Sequence, residues 1–232
     1  MMPEWFFDEQ QHAGEEHVDP DQVARYDEKI PFNPSDEIEL LQKHGLSTED
    51  TVIDFATGTG EFPLAIAEYC DHVVAVDVSE TMLEKARGKV EASNIENIEL
   101  IQSGIVSYIH QREPASFVFS KNAFHHLPDF WKVEALKTVG EALEPGGIFR
   151  FRDLVFSFEP VDSHENIEAW LEGMEPTLFT DEELNNHFRK EFSTYDFLME
   201  PMLERTGFEI LGASYRQGFY ASYTCKWQED SK

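Results

Sequence analysis

Thr51-Val-Ile-Asp-Phe-Ala-Thr-Gly-Thr-Gly60 runs from a β-branched stretch straight into glycines, and a helical pattern follows over Glu61–Tyr69. The strand is expected over Thr51–Phe55. Glycines directly after it let the backbone turn tightly and approach a ligand, while the next helix aims its free N–H groups at the same place. Asp77 ends the next apolar run, Val73-Val-Ala-Val-Asp77, nineteen residues after Gly58. A carboxylate there can accept both hydroxyls of a ribose. The plain alternative is a tight strand–helix turn with Asp77 as a helix cap.

Outward from this turn the alternation continues. Ser79 caps a helix to about Ala92, Ile98–Gln102 and Ser116–Ser120 read as strands, and Trp131–Leu143 reads as a helix. Pro145-Gly146-Gly147 turns into a fifth strand, Ile148–Val155. This pitch predicts βαβ units on a parallel sheet, with the crevice at the carboxyl ends of the strands. Residues 157–200 hold two or three helices without strands, one opened by the capping box Thr180–Glu183. Phe208–Tyr215 and Phe219–Trp227 close as an antiparallel pair around Gln217-Gly218. Residues 1–35 form an acidic arm with one short helix near Gln22–Glu28, and residues 36–232 form the main domain.

Composition bounds the partners. The 232 residues carry 18 Lys+Arg against 46 Asp+Glu, a net charge of −28. A phosphate-neutralising groove needs the opposite balance, so neither nucleic acid nor an anionic membrane is expected. The acidity reads either as a solvated surface or as adaptation to a high-salt cytoplasm. Cys70 and Cys225 make neither a disulfide framework nor a zinc spacing, and no apolar run is long enough for a membrane helix. A cytoplasmic protein with a small-molecule substrate is expected. The oligomeric state is left open.

The turn narrows the nucleoside. Gly58-Thr-Gly60-Glu-Phe-Pro63 lacks the third glycine of a dinucleotide fingerprint, and no Walker lysine follows. The chain resembles the class I S-adenosylmethionine-dependent methyltransferases, near the ubiquinone/menaquinone-biosynthesis branch. The likeness rests on Val52–Gly60, on Val73–Ser79 with Met82, on Asn122-Ala-Phe-His125-His126-Leu-Pro-Asp129, and on Leu143–Gly147. It implies a Rossmann-like, doubly wound α/β sheet of seven strands in the order 3-2-1-4-5-7-6, the last antiparallel, with a helical insertion after strand 5. It implies S-adenosylmethionine as cofactor. Asp54 would lie by its methionine ammonium and the backbone of Ala56, Gly58 and Gly60 would wrap the methionine part. Asp77 would hold the ribose, Val78 and Met82 would flank the adenine, and Ser103, Gly104 and Ile105 would edge it. Asn122 joins this set, and Tyr26 of Tyr26-Asp27 would fold over the cofactor. Three departures stand out: Ala56 for glycine, Ser116 for the aspartate opening strand 4, and Gly104 where an acidic residue often meets the adenine amine.

On the acceptor side, His126 is the candidate general base, against the plainer reading of a histidine that ties loop backbone together. Arg150 and Arg152 share one strand face, and Arg152 is the candidate clamp for an anionic acceptor, against pairing with one of the many acids. His125 and His126 are adjacent, so their side chains diverge and no metal is expected. Aromatic residues of 157–200 are expected to roof an apolar acceptor pocket. Two other readings compete with methyl transfer: a non-catalytic S-adenosylmethionine-binding module and a nicotinamide dehydrogenase, the latter disfavoured by the missing glycine. A carboxylated S-adenosylmethionine as donor also stays open.

Overall fold

The structure, a computed structural model, describes residues 3–174 and 179–229. Two helices of the arm, α1 (Glu15–Val18) and α2 (Pro20–Lys29), lead through α3 (Ser35–Lys43) into the alternating part. There follow β1 (Thr51–Phe55), α4 (Glu61–Ile66), β2 (His72–Asp77), α5 (Glu80–Ser93), β3 (Ile98–Gln102), β4 (Ala115–Lys121), α6 (Asp129–Ala142) and β5 (Leu143–Phe156). The insertion carries α7 (Ser163–Glu172) and α8 (Asp181–Arg189), and its residues 175–178 lie outside the described residues. Then come β6 (Thr194–Tyr195), α9 (Asp196–Arg205), β7 (Phe208–Arg216) and β8 (Tyr220–Trp227).

The sheet runs β3-β2-β1-β4-β5-β8-β7. Its first five strands are parallel, and β8 is antiparallel to both neighbours. This is the expected seven-strand order once β6 is counted. Two residues long and paired with the end of β5, that strand is too short to leave a period in the sequence. The fifth strand also begins earlier than expected. Leu143 pairs with Ala115 and the ladder shifts register before Phe117, so the Pro145-Gly146-Gly147 turn is absorbed into an irregular strand start.

Period-2 alternation splits the core between the two faces. Val52, Val73, Phe117, Phe119 and Ile148 pack under Ile38 and Leu41 of α3 and Phe62 and Ile66 of α4. Ile53, Val74, Val118, Phe149 and Phe151 face Ala135, Leu136 and Val139 of α6 and Met199 and Leu203 of α9. A third cluster ties the insertion to β8 through Trp170, Leu184 and Phe219. With both faces covered, the open edge is at the carboxyl ends of β1 and β4, where chain order reverses across the sheet. No helix among the described residues is long and apolar enough to cross a membrane.

Candidate active site

A cleft of about 660 Å³ opens at those strand ends. Ala56, Gly58, Asp77, Val78, Ser103, Gly104, Ile105, Asn122, Tyr26 and His126, all singled out in the sequence, line it together. A second cavity holds Asp54 and adjoins the first, since Tyr26, Ala56, Gly58 and Lys121 line both.

The turn is held by its two carboxylates. Asp77 Oδ2 accepts the Gly58 N–H at 2.7 Å and Oδ1 accepts the Ser79 N–H at 2.8 Å. Asp54 Oδ2 accepts the Thr57 hydroxyl at 2.5 Å. Ala56 and Asn122, at the ends of β1 and β4, both have positive φ, 58° and 55°. Such backbone costs a non-glycine residue of order 1–3 kcal/mol and concentrates where a ligand is gripped. Gly60 takes φ 81°, and a Cβ there would lie 3.1 Å from that of Ala86, so its part is the close packing of turn on α5. Neither Gly60 nor Met82 lines the cleft. Met82 is fully buried, so the structure gives its side chain to packing under the site and not to flanking the adenine.

Electrostatically, burial dominates the turn's two carboxylates, and Lys121 offsets it only in part at Asp54. Burial pushes the Asp54 carboxyl up to about 8, against the Thr57 hydroxyl and with the help of the nearby Asp77 charge. Burial also raises Asp77 in spite of its backbone donors. Two buried carboxylates beside a cleft fit a ligand that brings hydroxyls and an ammonium.

Three ionisable lining residues were not anticipated. Glu9, from the arm, sends its carboxylate into the turn after β3. Oε1 accepts the Ile105 N–H at 2.7 Å, and Oε2 accepts Val106 and Ser107 N–H at 3.1 and 3.3 Å. A Cβ on Gly104 would lie 1.9 Å from Glu9 Oε2. The missing acidic side chain at position 104 is thus replaced in space by one from far away in the chain. The gap at Gly104 was the available signal. Lys121 lines both cavities, and burial, with the Arg152 charge next, pushes it down to about 8. His17 stands over His126, ring centroids 5.3 Å apart.

The acceptor side divides differently from expectation. Asp153 Oδ2 accepts the N–H groups of Ala123 and Phe124, and its Oδ1 meets His125 Nδ1 at 2.5 Å. The loop-tying histidine is therefore His125. His126 faces the cleft, and its ring makes no hydrogen bond among the described residues. Burial and the surrounding His125, His17 and His187 hold it well below the usual histidine range. Arg150 and Arg152 do share a strand face, yet neither lines the cleft. Arg150 Nε donates to Glu37 Oε2 and Arg152 Nη1 to Glu37 Oε1, both at 2.6 Å. The guanidinium assigned to an anionic acceptor belongs to a buried acid of α3.

A parallel sheet with a glycine turn, a strand-end carboxylate and a nucleoside-sized cleft defines the class of Rossmann-like cofactor-binding α/β proteins. Residues 52–147 match the family model of a methyltransferase domain. That stretch, which holds the glycine turn, Asp77 and the loop after β4, is similar to the methyltransferase domain. An uncharacterized methyltransferase of Oceanobacillus iheyensis is 27% identical over 118 residues, 51% of this chain and 53% of its own length. The chain thus spans about half of that relative. A demethylmenaquinone methyltransferase of Listeria monocytogenes is 24% identical over 174 residues, 73% of this chain and 69% of its own. A solved S-adenosylmethionine-dependent methyltransferase of Clostridium acetobutylicum superposes with TM-score 0.70 at 15% identity, over 90% of this chain and 99% of that one. That likeness speaks to the fold.

Proposed function

We propose that the protein transfers a methyl group from S-adenosylmethionine to a small apolar or aromatic acceptor in the cleft. The carrying observation is the convergence of Ala56, Gly58, Asp77, Val78, Gly104, Ile105, Asn122 and His126 on one space. The bound cofactor supplies an electrophilic methyl on a sulfonium. Asp77 would hold the ribose, the turn backbone the methionine part, and Asp54 its ammonium. Glu9 supplies the carboxylate that Gly104 lacks and accepts the adenine amine. Displacement at a methyl needs alignment and exclusion of water more than bond-making by the protein. The arm residues Phe7, Ala13, His17 and Tyr26 enclose the cleft for that purpose. His126, with its ring nitrogens free of hydrogen bonds among the described residues, takes the proton from an acceptor hydroxyl. The apolar wall, together with the assignment of Arg150 and Arg152 to Glu37, favours a planar apolar acceptor of the kind in the name of the Listeria relative, demethylmenaquinone.

Calorimetry with S-adenosylhomocysteine tests the cofactor half. An ammonium beside Asp54 favours its charged form, so binding expels the proton that the free protein holds below about pH 8. Close to one proton is released at pH 7, and affinity rises up to roughly tenfold per pH unit below that value. Asp54→Asn binds more weakly and without this pH dependence, and a Kd flat from acid to pH 8 in the parent removes Asp54 from the site. The same titration reads Glu9: Glu9→Gln narrows the preference for S-adenosylhomocysteine over its 6-oxo analogue, which lacks the amine, by roughly tenfold, the scale of one charged hydrogen bond. Turnover is then measured on quinols and phenols. His126→Ala lowers it while leaving the Kd within about twofold; tight binding without turnover on any acceptor favours the binding-module reading instead.

The acidity adds a reading of habitat. With 46 acids against 18 bases, self-repulsion is relieved by salt, so Tm climbs as potassium chloride goes from dilute to molar. A flat or falling Tm rejects adaptation to a salty cytoplasm.

A further inference from the structure

Next to the cleft wall, two histidines and a carboxylate from separate segments converge. His125 lies in the loop after β4, His187 in the last turn of α8, and Glu191 just beyond that helix. One ligand atom from each of the three (a ring nitrogen of His125, one of His187 and a Glu191 oxygen) lies within 4.8 Å of the other two. His125 is held for this by Asp153, itself anchored on the Ala123 and Phe124 N–H groups. In that contact the Nδ1–H of His125 donates to the Asp153 carboxylate, which leaves Nε2 as the outward nitrogen, 3.6 Å from Glu191 Oε2 and beyond hydrogen-bond reach. The same Oε2 is 2.5 Å from His187 Nδ1. One oxygen is thus addressed by two imidazole nitrogens, with His125 4% and Glu191 10% exposed at the side chain.

We propose that His125 Nε2, His187 Nδ1 and the Glu191 carboxylate bind a first-row divalent transition-metal ion. An N2O donor set of this kind suits zinc, and ligands at about 2.0–2.2 Å from one ion stand about 3.3 Å apart, close to the His125–Glu191 separation. At His187 Nδ1 and Glu191, now joined by a hydrogen bond, the ion would take the place of the shared proton and the two ligand atoms would part. A carboxylate behind the far ring nitrogen is the arrangement that orients a histidine ligand and makes it more basic. The adjacent pair His125 and His126 does not chelate. Their rings lie side by side, centroids 4.1 Å apart, and only His126 faces the cleft. The ion would fasten α8 to the loop after β4. With three protein ligands it keeps a further position for water.

The test needs no cofactor. Full-length protein is stripped with chelator, then titrated with zinc against a competing indicator, and with cobalt for its visible spectrum. One ion per chain is expected, with the intense absorption of cobalt in a site of low coordination number. His187→Ala and Glu191→Gln each weaken zinc at least tenfold in variants whose metal-free Tm shows them folded, and His164→Ala, an exposed histidine of α7, changes nothing. The proposal is overturned if the parent shows only the pale spectrum of hydrated cobalt. It is equally overturned if all variants bind zinc alike. Neither outcome bears on S-adenosylhomocysteine binding, which is measured separately.

Discussion

Asp77→Ala raises the Kd for S-adenosylhomocysteine by roughly 10- to 150-fold, about 1.5–3 kcal/mol, the worth of a charge-assisted hydrogen bond. The upper end is expected because the carboxylate does two things at once. It faces the cleft, and it pins the Gly58 N–H and the Ser79 N–H at 2.7 and 2.8 Å. Alanine leaves both donors without a partner and loosens the turn whose shape the ligand reads. Calorimetry on the variant, with Tm recorded beside it, separates lost affinity from lost fold. A Kd unchanged in a folded variant would falsify the ribose assignment.

Glu37→Ala lowers unfolding free energy by about 3–5 kcal/mol, the cost of stranding a buried charge. Two guanidiniums share this one carboxylate, and Arg150 is 8% exposed, so water cannot replace the lost partner. Arg152→Ala costs less, because its side chain is 29% exposed and Arg150 keeps the acid. Replacing the pair together, Glu37→Leu with Arg150→Met, recovers much of the loss, since hydrophobic residues can fill a buried ion-pair site. Urea melts of the parent and the three variants provide the check. If Glu37→Ala melts like the parent, the network is not what anchors α3 on β5.

What the sequence made legible was local. The β1 turn, Asp77 at its strand end and the capping box at Thr180 each declare themselves within a few residues, because period and cap chemistry act over one or two turns of chain. Partners chosen across the fold were not legible. Arg152 had many candidate acids, and only packing of α3 on β5 brings Glu37 to it. Glu9 was invisible for the same reason, although Gly104 announced that a carboxylate was wanting. The histidine pair shows the limit most finely: adjacent residues exchange roles according to which ring Asp153 captures, and that depends on how β5 sits beside the loop after β4.

The arm is part of the cleft, and this governs traffic as well as affinity. Glu9 in its ring of N–H groups, the Ser79 hydroxyl on the His17 carbonyl, and Asp27 on Lys85 and Lys89 are three clasps on one strap. A molecule bound there touches the strap as well as the sheet, so loosening a clasp is expected to shorten its residence time and to lower its affinity. The clasps differ in their sensitivity to the medium. The Asp27 pairs are a quarter to a third exposed and are screened by ions, whereas Glu9 is sheltered. Salt is therefore expected to weaken the α2 clasps before the Glu9 anchor, which dissociation rates of S-adenosylhomocysteine measured from dilute to molar potassium chloride would check.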